Sequence, residues 1–145
     1  MLSWLGKKLI TYTMNRLNAG DVRPTLLLES EDITLRFPGH SSWSGVYRGK
    51  QEVRGFLERF ASVGLQIFPD EVVVKGFPWN QTVCICGRDH LRSPEGELVY
   101  DNRYVIWGHM RWGRLREYEV YEDTEQPLAL DQWLTAREPA VAAIR

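Results

Sequence analysis

LNAGDVRPTLLLESEDITLRFPGHSSWSGVYRG, from Leu17 to Gly49, holds a helix stop, a second helix, a short strand and a glycine-punctuated loop in one run. Asn18, Ala19 and Gly20 end an amphipathic helix, since glycine accepts the left-handed conformation that closes a helix at little steric cost. Asp21 can cap the helix that follows, and Pro24, which lacks an N–H, is tolerated only in a first turn. Two helices therefore meet at a sharp corner. After Leu28 come Glu29 to Asp32, then the strand-like Ile33 to Phe37. Pro38 and Gly39 open the loop that carries His40, Trp43 and Tyr47.

Outward from this run the periodicity separates helices from strands. Ile10, Met14 and Leu17 fall at helical spacing with Leu9 and Thr13 beside them, so Ser3 to Leu17 reads as a helix with one buried stripe. The second helix spans about Val22 to Glu29. Val53, Phe56, Leu57, Phe60 and Ala61 form the apolar face of a third helix, and Gly64 stands where a C-terminal glycine belongs. From Leu65 the period turns strand-like: Leu65 to Phe68, Glu71 to Phe77, Thr82 to Arg92, Leu98 to Met110 and Arg114 to Asp123. Pro69 with Asp70 bends or bulges the first pair, and Phe77 to Asn80, Ser93 to Gly96 and Trp112-Gly113 supply three hairpin connections. Helices followed by a meander indicate an α+β domain with helices over one face of an antiparallel, curved sheet. Pro127 opens a last short helix through Trp133. Residues 1 to 135 then make one domain, and 136 to 145 a tail expected to fray.

The chain has 145 residues, 43% hydrophobic and 26% charged, with a net charge of -1. It is long enough to bury a core, and no general electrostatic pull toward nucleic acid is available. Residues 1 to 14 hold no apolar run long enough for a signal or a span, so a cytoplasmic protein without membrane partners is expected. Cys84 and Cys86 lie on the same face of one strand, poorly placed to bridge and without zinc-ligand spacing; reduced, half-buried thiols are expected. Six tryptophans point to large aromatic core positions or to a cavity with aromatic walls.

The order LNAGDV, ED before a strand, FPG and W-x-G-x-Y-x-G from Trp43 to Gly49 before a helix resembles the SnoaL-like group of the nuclear-transport-factor-2-like superfamily. The resemblance continues through GFPWN, RWG and YEDT and covers roughly Ser3 to Trp133. It implies a cone-shaped curved antiparallel sheet, covered by N-terminal helices and enclosing an apolar pocket. Relatives include polyketide cyclases, limonene epoxide hydrolase and ketosteroid isomerase. The D-x-L-R portion of Gly87 to Arg92 is similar to the epoxide-hydrolase strand and places Asp89 on a catalytic carboxylate. Gly87 stands where that enzyme has an arginine, however, and Val120 where it has its second carboxylate. Likewise Phe37, before Pro38, takes the place of the ketosteroid-isomerase base, so neither mechanism carries over intact.

Strand alternation sorts the faces. Val83, Ile85, Gly87, Asp89 and Leu91 share one side of their strand, with Asp89 as the odd residue on an apolar wall. Arg116, Tyr118 and Val120 face inward on the last strand. Asn102 and Tyr104 are placed in the cavity because Gly108 would leave room there and Arg103 prefers water. A carboxyl on an apolar wall either gains a partner or raises its pKa and keeps its proton, and either state serves acid-base chemistry. The alternative is that Asp89 forms a satisfied ion pair with Arg116 or Arg103.

The candidate catalytic residues are thus Asp89 as acid or base, Tyr104 and Tyr118 as polarising phenols, and His40 at the rim. The candidate substrate-binding residues are Trp43, Tyr47, Asn102, Phe37 and Val120. A small cofactor-independent enzyme acting on a hydrophobic oxygenated molecule is expected, by cyclisation, isomerisation or epoxide opening. No metal site is expected. The other reading is a non-catalytic binding or assembly module, with a homodimer formed through the outer sheet face that bears Trp107 and His109.

Overall fold

The computed structural model describes residues 2 to 142, and side chains for 4 to 137. Helix α1 (Leu2–Asn18) and the short α2 (Arg23–Leu28) lead into β1 (Glu29–Phe37) and β2 (Gly45–Arg48). Helix α3 (Gly49–Val63) then precedes the long strands β3 (Gln66–Phe77), β4 (Asn80–Arg92), β5 (Leu98–Arg111) and β6 (Arg114–Glu122), and α4 (Glu125–Ala142) closes the chain. The last helix begins before Pro127 and its backbone runs past Trp133, where the sequence reading had placed its end. Among the described residues, no helix is long and apolar enough to cross a membrane.

The six strands form one sheet in the order β2-β1-β6-β5-β4-β3. It is mixed, which corrects the expected antiparallel sheet: β1 runs parallel to β6, with Leu35 opposite Tyr118. Hairpin signals fix only the pairing of consecutive strands, and the β1–β6 contact joins segments some eighty residues apart that no turn connects. The expected bulge is present in β3, where Pro69 pairs with Gly87 and Glu71 with Cys86, leaving Asp70 extra. Proline is tolerated there because β3 is an edge strand.

A second bulge, in β6, was not foreseen. His109 pairs with Glu117 and Met110 with Leu115, so Arg116 is the extra residue. Leu115 takes the inward position expected of Arg116, whose guanidinium instead turns to solvent and meets Asp32 at 3.4 Å. A strand with two residues opposing one breaks its own alternation.

The helix ends position the site. Asn18 finishes α1 and docks it on β3 as if it were a neighbouring strand: its Nδ2 donates to the Ile67 carbonyl at 2.9 Å and its Oδ1 accepts from the Ile67 N–H at 2.8 Å. Gly64, at φ 93°, closes α3 with its N–H on the Ala61 carbonyl. Asp21 sits one residue ahead of the α2 N-cap, Val22, accepting from the Arg23 N–H at 3.1 Å, and does not cap the helix itself. Ile33, Leu35 and Val53 are fully buried where β1 meets α3.

Candidate active site

Between the inner sheet face and helices α1, α2 and α3 lies a cavity of about 130 Å³. Its wall is mostly Ile, Leu, Met and Phe, interrupted by the carboxyls of Glu29, Asp89 and Glu122 and by the phenols of Tyr104 and Tyr118. The faces read from β4 and β5 hold: Asp89, Asn102 and Tyr104 are buried, while Arg103, Val105 and Trp107 are exposed. Gly108 serves a different purpose from the one expected. A Cβ there would stand 3.0 Å from the Glu117 carbonyl oxygen and 3.1 Å from Leu115, so the glycine permits close strand packing and opens no space.

Asp89 is 7% exposed. It pairs with neither Arg116 nor Arg103. Its Oδ2 accepts from the Tyr100 hydroxyl at 3.4 Å, and its Oδ1 has no partner among the described residues. Burial pushes the carboxyl up to about 7, against the opposing pull of the Tyr100 hydroxyl. Asn102 lies behind this pair, its Nδ2 donating to the Tyr100 oxygen at 3.2 Å and to the Asp123 carbonyl at 3.0 Å. It orients the phenol from outside the cavity lining.

The two expected polarising phenols are already engaged. Tyr104 donates to the Phe68 carbonyl at 3.1 Å, through space that only Gly87 leaves open: a Cβ at residue 87 would overlap both the Phe68 carbonyl oxygen and the Tyr104 hydroxyl. Tyr118 donates to Glu29 Oε1 at 3.0 Å. Glu29 is 1% exposed, its Oε2 has no partner among the described residues, and burial pushes its carboxyl up to about 7.

Phe37 and Val120 line the cavity as expected. Trp43 and Tyr47 hold the loop between β1 and β2 in place. Trp43 is buried beneath the Arg59 guanidinium, 3.8 Å from its ring, and Tyr47 donates to the Trp43 carbonyl at 2.6 Å while its ring packs on Phe56. Trp43 does border a minor void shared with Asp89 and Tyr100; Tyr47 borders neither space. Ser42 clasps this loop to α4, its N–H and hydroxyl both donating to Asp131 at 2.6 Å. His40 is exposed on the same loop and is not brought to the cavity.

Sequence reasoning missed three groups: Glu29, Tyr100 and Glu122. Glu122 ends β6 with its Oε1 buried and without a partner among the described residues, and burial followed by the Asp89 charge pushes it up to about 8. The inward parity of Tyr118 and Val120 extends to Glu122, and that of Asn102 and Tyr104 to Tyr100, so alternation carried both signals. Among the described residues no cluster of three or more His, Cys, Asp and Glu side chains is arranged to hold a metal ion. Cys84 and Cys86 are free and half-buried.

No protein-family model matches the sequence, and no curated protein does. Solved structures do match in fold. A protein of unknown function from Burkholderia pseudomallei, described as NTF2-like, aligns over 86% of this chain and 95% of its own at a TM-score of 0.69 and 16% identity. Bal32a, from a soil-derived mobile gene cassette, aligns over 90% and 96% at 0.70 and 17% identity. TerC, co-crystallized with polyporic acid, aligns over 83% and 95% at 0.67 and 21% identity. Together these similarities give the chain the NTF2-like fold.

Proposed function

We propose that this protein is a small enzyme of the SnoaL-like type that carries out acid-base chemistry on a hydrophobic oxygenated molecule held between the sheet and α1 to α3. The observation that carries the reading is Asp89: a buried carboxyl on an apolar wall, with one oxygen unpartnered and no cation paired to it among the described residues. An ionised carboxylate in such a place loses much of its solvation, so it holds a proton near neutral pH and exchanges it readily with a bound molecule. Ionised, Asp89 takes a proton from a C–H bond or a water; protonated, it donates to a carbonyl or epoxide oxygen. That TerC was crystallised with a small-molecule ligand is consistent with a ligand cavity in this fold. The reading takes the sheet as a cone whose wide end is closed by the helices.

An apolar cavity of about 150 Å³ takes up a benzene-sized molecule. The cavity here, at about 130 Å³, therefore fits a compact occupant best, such as a single ring bearing one or two oxygens. A thermal-shift panel running from monoterpenoid epoxides and cyclic enones to steroid enones and aromatic polyketide analogues tests this. Compact oxygenated rings are expected to raise the melting temperature of the wild type and to lose or change that shift in Asp89→Asn. A panel that shifts neither protein sinks the proposal.

The outer sheet face favours a second reading, an assembly role alongside or in place of catalysis. Val105, Trp107 and Tyr121 are exposed there, at 37%, 48% and 52%. We propose that two copies pair through this face, as symmetric self-association would require. Light scattering after size exclusion should give a dimer mass for the wild type and a monomer for Trp107→Arg; a monomeric wild type ends this reading.

A further inference from the structure

We infer that the end of the molecule where the β3–β4 and β5–β6 turns meet docks on the surface of an anionic phospholipid membrane. Trp79 and Trp112 enter the headgroup layer, and Lys75, Arg111 and Arg114 meet the lipid phosphates. The inference stands apart from the acid-base reading. The sequence expectation of no membrane partner rested on the lack of a signal or a span, and a surface that only docks needs neither.

Three aromatic rings gather at that end. Phe77 and Trp79 stack with centroids 4.9 Å apart and planes 4° apart, and Trp112 lies 6.2 Å from Trp79. They are 66%, 51% and 70% exposed. The two turns are tied into one unit: the Trp112 N–H donates to the Pro78 carbonyl at 2.7 Å, and Arg111 Nε donates to the Trp79 carbonyl at 3.1 Å. Leu27, itself 69% exposed, adjoins them, its carbonyl accepting from Arg114 at 3.0 Å. Packing within this chain does not account for so much exposed apolar surface in one place.

The backbone at Trp112 adds an independent sign. Trp112 and Gly113 have φ of 53° and 77°, the left-handed pair of a two-residue hairpin turn between Arg111 and Arg114. Asparagine or glycine takes the first of these positions with little strain, whereas a bulky side chain there is disfavoured. A tryptophan held in that conformation and left in solvent points to use outside the fold.

Charge selects the occupant. From Lys75 to Gln81 and from Met110 to Arg116 there is no aspartate or glutamate. Lys75, Arg111 and Arg114 are exposed, and none of the three has an ion-pair partner among the described residues. The neighbouring start of α1 continues this character. Gly6 lies so close to Val74 of β3 that a Cβ there would stand 2.9 Å from it, Lys8 sits 4.1 Å over the Trp4 ring, and α1 contains no acidic residue. The chain as a whole carries a net charge of -1, so its basic groups are concentrated here. Tryptophan beside lysine and arginine matches the layer where a bilayer meets water, with rings at headgroup level and cations on anionic lipid. Single-stranded nucleic acid asks for a basic groove that tracks its backbone and for ring faces open to its bases. Here the rings crown two turns, and Phe77 and Trp79 stack on each other. A protruding tip suits a lipid surface better.

Sedimentation of the full chain with vesicles tests the inference. Phosphatidylcholine vesicles containing about a third phosphatidylserine should bind it and shift its tryptophan emission to the blue. Pure phosphatidylcholine should bind it at least about tenfold less, since each basic residue near an anionic surface contributes roughly fivefold. Trp112→Asn suits the turn, so it should keep the melting temperature while lowering binding about tenfold, as loss of one large buried apolar side chain does. Trp79→Ser and Lys75→Glu should each weaken binding too, which keeps the test open if Trp112→Asn does not fold. Failure to sediment with anionic vesicles, equal binding to both vesicle types, or binding unmoved by all three substitutions overturns the inference. A dimer that Trp112→Asn abolishes, without lipid binding, would give the tip to a second copy of the chain and overturn it. Binding to a single-stranded oligonucleotide in preference to anionic vesicles would overturn it in favour of nucleic acid.

Discussion

At the α2 end of the cavity Glu29 accepts from Tyr118 at 3.0 Å, whereas at the β4 to β6 end Asp89 accepts from Tyr100 at a longer 3.4 Å and Glu122 carries a buried oxygen without a partner among the described residues. Both ends sit in the same apolar wall, and burial is the main cause that pushes each carboxyl up. They differ in how that burial is met. Glu29 has a close donor in Tyr118, and the Lys50 charge opposes part of the effect of its burial. Asp89 has a weaker donor, the Tyr100 hydroxyl at 3.4 Å, and the neighbouring charge of Asp101 pushes its carboxyl further toward the protonated form. A buried acid becomes reactive when the supply of hydrogen bonds around it falls short, and burial alone does not make it so.

Turnover should break this comparison most sharply if it is wrong. Once a substrate is found, Asp89→Asn is expected to lower kcat by roughly 10²- to 10⁴-fold, the range of a lost general acid or base. Glu29→Gln should retain most of the wild-type rate. Equal losses in the two variants would show that the ends are not distinct.

Stability against pH sharpens it next. Asp89 and Glu29 are pushed up to about 7 and Glu122 to about 8 in the folded protein. Each therefore binds its proton more tightly folded than unfolded. The stability they confer is complete below their unfolded values, near ~4, and is lost as pH rises through about 7 to 8. The loss amounts to several kcal/mol in all, on the order of 10 °C in melting temperature between pH 5 and pH 8.5. Asp89→Asn should flatten that fall, being the more stable protein at pH 8.5 and not at pH 5. Calorimetry showing a wild-type melting temperature that climbs across this window would contradict the burial of all three acids.

The smallest effect concerns the wall between the ends. Gly87→Ala forces the Tyr104 hydroxyl away from the Phe68 carbonyl and should cost about 1–3 kcal/mol, as overpacking does. Urea denaturation reads this directly; an unchanged midpoint would mean that β3 shifts freely to make room.

Much of this arrangement is written in alternation. The period-2 pattern placed Asp89, Tyr104 and Val120 inside and Trp107 outside, and the glycine after α3 marked its end. What alternation does not carry is pairing between strands distant in sequence, so the parallel β1–β6 contact had no local sign. Nor does it carry a bulge, which is why Arg116 was read inward in place of Leu115. Glu29 was hidden differently. In ESED two of four residues, Glu31 and Asp32, are solvated as acidic runs usually are, and nothing along the chain distinguishes Glu29 from them. Its burial comes from α2 and β6, which meet it only in the folded state. Glu122 and Tyr100, by contrast, stood at legible positions beside residues already assigned inward.

The bulge at Arg116 makes the last strand unequal in its tolerance of losing a residue. Leu115 and Glu117 already oppose Met110 and His109 in succession, so deleting Arg116 would mend the ladder and leave Tyr118, Val120 and Glu122 pointing where they do, at the cost of one exposed ion pair and some local twist. Deleting Glu119, two ladder positions further on, would carry Val120 and Glu122 to the outer face and empty the cavity wall of both. One strand thus contains a residue the cavity can do without and, three places away, one whose removal would turn the β6 wall of that cavity inside out.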